Sequence, residues 1–260
     1  MSNVEAFFFT PEWPVLYLDN HLLALYKPAG LLVQGDESGE ISLLELGKSW
    51  LKERYDKPGR AFLGLVHRLD RPVAGVVLFC RTSKAAGRIS EQFRSGTIVK
   101  KYLTIVEGRL SEYQGRLTNF IEKNAKNSKI VSLPGKKSKR ATLSYRVLDT
   151  IGSVSLLEVH LETGRKHQIR LQLSNLGHPV LGDKRYGSSA TLAQRQIALF
   201  AKELTIRHPI RKVEVTIEAP LPKGWPWRAS HIIKSAPPWS WDELQPLVSN
   251  CPALVHLAGL

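Results

Sequence analysis

The sequence predicts an α+β fold carried by one domain. Three observations predict it. Strand-like and helix-like segments mix without a regular βαβ rhythm, which argues against a doubly wound parallel sheet. The chain has 260 residues, 43% of them hydrophobic, too apolar for a disordered chain and long enough to bury roughly 70–75% of its unfolded surface without a metal or disulfide. No internal repeat and no low-complexity linker divides it.

The elements follow in order. Residues 15–33 read as two strands separated by turns at Asp19-Asn20 and Lys27-Pro28-Ala29-Gly30. Ser42 with Glu45 forms a capping box, and Leu43, Leu46, Trp50 and Leu51 recur at helical spacing up to Tyr55, before Pro58. Val73 to Cys80 is a valine-rich apolar run, expected as a buried strand. Ser83 is the expected cap of the next helix, with Ala86, Ile89 and Phe93 on its buried face and Gly96 as its stop. Thr97–Glu107 alternates as a strand, with Ile98, Lys100, Tyr102 and Thr104 sharing a face. Residues 116–148 read as strands around a basic loop, and Val154–Glu162 as a further strand. A helix is expected from Lys166 to Leu176, closed by Gly177 and Pro179. Strand character returns over 197–219. Residues 225–241 hold four of the six tryptophans, a tail too aromatic for a free linker and expected to pack on the body.

Charge narrows the function. The chain carries 37 Lys+Arg against 23 Asp+Glu, a formal charge of +14, which points to a polyanionic partner, with nucleic acid foremost. The excess is not spread evenly. Residues 1–93 are net neutral, 94–140 carry +9 and 163–212 carry +8. Two isolated cysteines, Cys80 and Cys251, exclude a disulfide scaffold and a cysteine-based zinc site. No apolar run approaches the ~20 residues of a spanning helix, and residues 1–26 lack the basic residues of a signal or transit peptide. The expectation is a cytoplasmic protein with no membrane partner.

Generic motifs are absent: no P-loop, no GxSxG, no HExxH, no GxGxxG and no histidine cluster at metal spacing. Several segments read together say more. They are Tyr26-Lys27-Pro28-Ala29-Gly30, His67-Arg68-Leu69-Asp70-Arg71-Pro72-Val73-Ala74-Gly75, Lys100-Lys101-Tyr102, Thr163-Gly164-Arg165-Lys166-His167-Gln168-Ile169-Arg170, His178-Pro179-Val180-Leu181-Gly182-Asp183 with Tyr186-Gly187, and Leu204-Thr205-Ile206-Arg207-His208-Pro209. In this order, over residues 15 to about 220, they strongly resemble the RluA-type pseudouridine synthases. The resemblance implies a pseudouridine synthase catalytic domain, with a mainly antiparallel mixed β-sheet flanked by helices and loops. It also implies isomerisation of specific uridines to pseudouridine in structured RNA, tRNA or rRNA, with base flipping, no metal and no cofactor.

Site residues follow from the matched segments. Asp70 matches the family's catalytic aspartate, a carboxylate that either attacks C1′ of the ribose or abstracts a ribose proton. Arg170 matches its basic partner, which would hold the carboxylate ionised. Tyr102 matches the active-site tyrosine, a platform for uracil with a hydroxyl available for proton transfer. Arg68 is implied to fill the space left by the flipped nucleotide, with a salt-bridged arginine as the rival reading. His67 is expected to shape the loop, and His167, His178 and His208 to be structural. Arg165 and Lys166, near a helix N-terminus beside Gly164, suit phosphate binding. The segment 123–140 holds Lys123, Lys126, Lys129, Lys136, Lys137, Lys139 and Arg140 around the turn Pro134-Gly135, and is expected to grip the RNA backbone.

The sequence also departs from the family pattern. The common Thr-Ser-Gly after the aspartate is Val73-Ala74-Gly75, and a frequent Leu-His-Ala is Leu199-Phe200-Ala201. The expected organisation is an extension over 1–14, the catalytic domain over 15–222 with no S4 RNA-binding domain before it, and a Trp/Pro-rich tail over 223–260, in a monomer. Two rival readings are a catalytically silent RNA-binding protein of the same fold and a hydrolase cutting a nucleoside bond. The latter ordinarily needs two carboxylates, and the resemblance supplies one.

Overall fold

A computed structural model of the chain describes residues 15–56, 58–123, 128–192, 196–221 and 224–227. β1 (Val15–Leu18) and β2 (Leu22–Lys27) form the opening hairpin. Asp19 makes its turn, because one carboxylate oxygen accepts from the backbone N–H of both His21 and Leu22 at 2.8 Å. α1 (Leu43–Arg54) starts at the expected capping box: the Ser42 N–H donates to Glu45 Oε2 at 2.9 Å, and the Glu45 N–H donates back to Ser42 Oγ at 3.4 Å. Leu43, Leu46, Trp50 and Leu51 are its buried side.

β3 (Gly64–Leu65) and β4 (Ala74–Cys80) flank the loop that carries Asp70, and all seven residues of β4 are buried. α2 (Ser83–Ser95) is capped by Thr82 rather than by Ser83. Thr82 is extended, as a cap must be, and its hydroxyl accepts from the Ala85 N–H at 3.2 Å. The fully buried positions are Ala85 and Ile89, with Ala86 and Phe93 partly covered, and Gly96 ends the helix in the left-handed region at φ 72°.

β5 (Val99–Glu107) is followed by β6 (Gln114–Lys123), β7 (Ser128–Val131), β8 (Ser138–Ile151) and β9 (Val154–Leu161). α3 runs only from Gln168 to Asn175. Its start is later than Lys166 because His167 adopts φ 57°, a left-handed turn that cannot continue a right-handed helix. β10 (Leu199–Arg207) and β11 (Glu214–Glu218) complete the described strands. Of the tail, Trp225 and Trp227 lie within the described residues and pack on the body. Trp227 is buried, and the Trp225 ring lies 6.0 Å from that of Phe200.

These strands make one sheet in the order β1-β2-β4-β10-β5-β9-β8-β6-β7, with β3 also on β4 and β11 on β10. Every pairing is antiparallel except β10 with β4. The sheet is therefore mixed and mainly antiparallel, as expected. The parallel junction explains Gly75. At φ 132°, a Cβ there would stand 2.1 Å from the Ala201 carbonyl oxygen, so only glycine lets β4 and β10 approach. Phe200, at the family's histidine position, is fully buried beside this junction.

Two apolar cores lie along the sheet. One joins β2 and β4 with α1 and α2. The other joins β5, β8 and β9 with α3. Leu69 packs against both, which places the next residue, Asp70, at the seam. Among the described residues no helix is long and apolar enough to cross a membrane.

Candidate active site

A cleft of about 910 Å³ opens at that seam, lined by Asp70, Tyr102, Arg170, Arg165, His67 and Phe93 among others. The loop presenting Asp70 is pinned through its backbone. The Arg71 carbonyl accepts from the Gly30 N–H at 2.8 Å and from Lys27 Nζ at 3.0 Å, and the Val73 N–H donates to the Asp70 carbonyl at 3.0 Å. The Arg71 side chain reaches the Gly30 carbonyl at 2.9 Å and Glu40 at 2.6 Å. Lys27 is fully buried, and its Nζ also donates to the carbonyls of Pro28 and Leu31. Burial pushes its pKa down to about 7, opposed by the charge of Asp70. Three carbonyl acceptors match the three donors of an ammonium, so the geometry is that of the protonated form.

Arg170 reaches Asp70 from the first turn of α3. Its Nη1 donates to Asp70 Oδ2 at 3.1 Å. Its other edge makes a two-pronged pair with Asp183: Nε to Oδ2 at 2.6 Å and Nη2 to Oδ1 at 2.9 Å. The face of the guanidinium lies 4.9 Å from the Tyr186 ring centroid. Burial disfavours its charge, but Asp183 and Asp70 outweigh burial and raise its pKa above the ordinary value. The side chain of Arg170 is 6% exposed and that of Asp183 1%, whereas that of Asp70 is 26% exposed. Asp183 is thus an internal counter-ion, and Asp70 is the carboxylate open to the cleft.

His167 is the second neighbour of Asp70. Its Nε2 lies 3.5 Å from Asp70 Oδ1, and its Nδ1 lies 2.7 Å from the Tyr186 hydroxyl. Burial lowers its pKa, the charge of Asp70 opposes this, and Arg170, Arg185 and Lys166 reinforce it, leaving the imidazole at about 4. It is therefore neutral near pH 7.

Tyr102, on β5, is half-buried in the cleft wall two residues from Lys100 on the same strand face. Burial and the charge of Asp70 both push its phenol upward, so it keeps its proton. His67 stacks on Phe93 with ring centroids 4.9 Å apart, and its Nε2 accepts the Leu78 N–H at 2.9 Å. Burial and the charge of Lys100 hold it down at about 4. His178 Nδ1 meets the Glu107 carbonyl at 2.9 Å, and His208 Nε2 meets Asp19 at 2.7 Å, both within the framework.

The residues expected to contact RNA divide. Arg165 and Lys166 line the same cleft as Asp70, in the turn before α3 rather than inside a helix. Arg68 is exposed there, with no hydrogen-bond or ion-pair partner among the described residues. Lys136 and Lys137 line a separate surface groove beside the β7–β8 turn, and Lys139 and Arg140 are exposed on β8. Lys129 is exposed on β7. The backbone of Lys123 ends β6, and Lys126 lies outside the described residues. The two basic blocks therefore meet at the cleft through Lys100 and Arg165, while the arm stands beside it. Among the described residues no group of three or more His, Cys, Asp or Glu could hold a metal ion.

Three contributors escape a reading of the sequence for roles: Asp183, Tyr186 and Lys27. Asp183 carries a signal, since it is one of two acids in a block with ten bases. A buried lysine such as Lys27 carries none, because the letters do not distinguish it from a surface one.

Comparison with known proteins gives the family. The family model for RNA pseudouridylate synthase matches residues 21–175. An uncharacterized RNA pseudouridine synthase of Bacillus subtilis is 33% identical over 228 residues, covering 85% of this chain and 74% of that protein. The ribosomal large subunit pseudouridine synthase D of Zymomonas mobilis is 32% identical over 220 residues, covering 80% and 69%. Among solved structures, human RNA pseudouridylate synthase domain containing 4 superposes with a TM-score of 0.69 at 24% identity, over 81% of this chain and 89% of that one. This likeness speaks for the fold. The family match and the two curated relatives speak for the chemistry: the chain belongs to the RNA pseudouridylate synthases, and within them to the RluA type.

Proposed function

We propose that this synthase acts on large-subunit ribosomal RNA and that Asp70, Arg170 and Tyr102 carry its chemistry. The observation that carries the assignment of residues is the contrast between the two carboxylates on Arg170: Asp70 opens to the cleft while Asp183 is enclosed. The relatives named as ribosomal large subunit synthases support the substrate class.

The reaction breaks the N1–C1′ bond of uridine, turns the uracil, and forms a C5–C1′ bond. The C5 hydrogen leaves as a proton and N1 gains one, so no cofactor is required. A uridine must first leave its stack to reach the cleft. Asp70 Oδ2 is taken by Arg170, which leaves Oδ1, 3.5 Å from His167 Nε2, for the ribose, as nucleophile at C1′ or as base on a ribose proton. Arg170 pairs with that carboxylate and fixes its orientation. Tyr102, protonated beside it, supplies a stacking face for uracil and a hydroxyl that can hydrogen-bond the migrating base. In this reading Arg68, exposed in the cleft lining with no partner among the described residues, occupies the vacated stack, and the exposed lysines of the β7–β8 arm track the backbone. The protein works as a monomer in this reading.

The test is a map of pseudouridine across ribosomal and transfer RNA from cells with and without the protein. Loss of a site in large-subunit ribosomal RNA is expected. Loss confined to transfer RNA would overturn the substrate class.

A further inference from the structure

We infer that Lys100 and Arg165 form a binding site for one backbone phosphate of the RNA strand, immediately beside the nucleotide that meets Tyr102. The inference rests on the proposed use of this cleft for RNA.

Both side chains line the cleft, Lys100 from β5 and Arg165 from the turn before α3. Burial, and after it the charge of Arg165, depress the ammonium of Lys100. The cleft's carboxylates are otherwise engaged. Asp70 is held by Arg170. Glu162 is clamped by Arg116 through two hydrogen bonds of 2.7 Å. Asp36 accepts from the Ser38 N–H and hydroxyl at 2.9 and 2.6 Å. The neighbouring Arg94 is paired with Glu91. Lys100 has no hydrogen-bond or ion-pair partner among the described residues, and Arg165 spends its Nε on the Arg140 carbonyl at 3.0 Å, with no carboxylate against it among those residues.

Two half-buried cations lining one cleft without an anion cost free energy in the empty protein, and a bound anion recovers it. Position defines which anion. Residues i and i+2 of a strand lie about 6.6 Å apart on one face, so Lys100 sits roughly one nucleotide's length from Tyr102. A guanidinium and an ammonium lining one cleft suit the several oxygens of a phosphodiester better than a planar base edge. The site would thereby register the strand, so that the uridine entering against Tyr102 is the one presented to Asp70.

The test measures binding of a fluorescein-labelled ten-residue oligouridylate by anisotropy over a range of salt, on the full chain. Lys100→Met is expected to weaken binding about tenfold and to make the log–log salt slope shallower by about 0.7, the value for one phosphate on a single strand. Arg165→Met should do the same, and the double variant should lose less than the product of the two, because both serve one phosphate. Lys100→Arg should bind like the wild type, and Lys52→Met, an exposed lysine on α1 away from the cleft, should change nothing. Lys100→Met should melt no lower than the wild type, since it removes a repelled charge. Unchanged affinity and slope, or fully multiplicative losses, would overturn the site. With large-subunit ribosomal RNA as substrate, a raised KM at a kcat within twofold supports it. A collapsed kcat at unchanged KM would assign Lys100 to chemistry instead and overturn it. A wild-type protein inactive on this RNA would count against the substrate proposal alone, since oligouridylate binding still decides the phosphate site.

Discussion

Replacing Asp183 by alanine should damage this enzyme twice, in stability and in turnover, although Asp183 never meets the RNA. The side chain is 1% exposed and holds one edge of Arg170, itself 6% exposed, through two hydrogen bonds. Removing one member of a buried ion pair ordinarily costs about 3–5 kcal/mol, because the other charge is left uncompensated. Arg170 retains Asp70 at 3.1 Å and the Tyr186 ring at 4.9 Å, so the lower end, about 3 kcal/mol, is expected. For a domain of this size each kcal/mol moves Tm by about 2–4 °C, giving a fall of about 6–12 °C. The freed guanidinium then turns toward Asp70. A loss of about 1.4 kcal/mol in positioning would lower kcat tenfold, while KM for RNA stays put. Asp183→Asn keeps the shape and one acceptor, and should lie between. Circular dichroism melts give the first quantity. Release of tritium from RNA labelled at uridine C5 gives the second, because forming the C5–C1′ bond expels that hydrogen. A Tm within about 2 °C of the wild type together with an unchanged kcat would refute the claim that Asp183 holds Arg170 in place.

Three further outcomes are expected. Tyr102→Phe should keep RNA affinity but turn over more slowly; an unaltered rate in the tritium assay would leave only the stacking role. Stability should fall on acidification between about pH 6.5 and 4, because His67 and His167 both sit at about 4 in the fold against 6.5 unfolded, so the unfolded chain binds the extra protons in that window. His67→Gln should flatten this acid limb in melts taken across that range, and an unchanged limb would contradict the buried neutral imidazole. Neutralising Lys136, Lys137 and Lys139 together should make the salt dependence of RNA affinity shallower, by up to about 0.9 for each phosphate these lysines neutralise; an unchanged slope would return the arm to ordinary surface.

What the letters can show follows the range of the interactions. The capping box at Ser42 and the stop at Gly96 are local hydrogen-bond and φ requirements, and both appear where the pattern places them. The cap of α2 lies at Thr82, one residue before the position the pattern favours, because Ser83 is an equally good acceptor and only the extended backbone of Thr82 decides between them. α3 starts two residues later than its pattern suggests because nothing in the name of His167 announces a positive φ. The His167 side chain meets residues far along the chain, Asp70 and Tyr186. Asp70 and Arg170 are legible as a pair only through family resemblance, since 100 residues separate them. The burial of Asp183 and Lys27, which decides what each can do, belongs to the packed sheet and to no segment of it.

The central claim is that Asp70 alone supplies the reacting carboxylate. Asp70→Asn leaves Arg170 still paired with Asp183, so the variant should melt within a few degrees of the wild type and bind RNA normally. The most direct measurement is pseudouridine content at the target uridine after incubation with this variant. The account predicts none, with RNA bound and protein folded. Substantial pseudouridine from Asp70→Asn would contradict it.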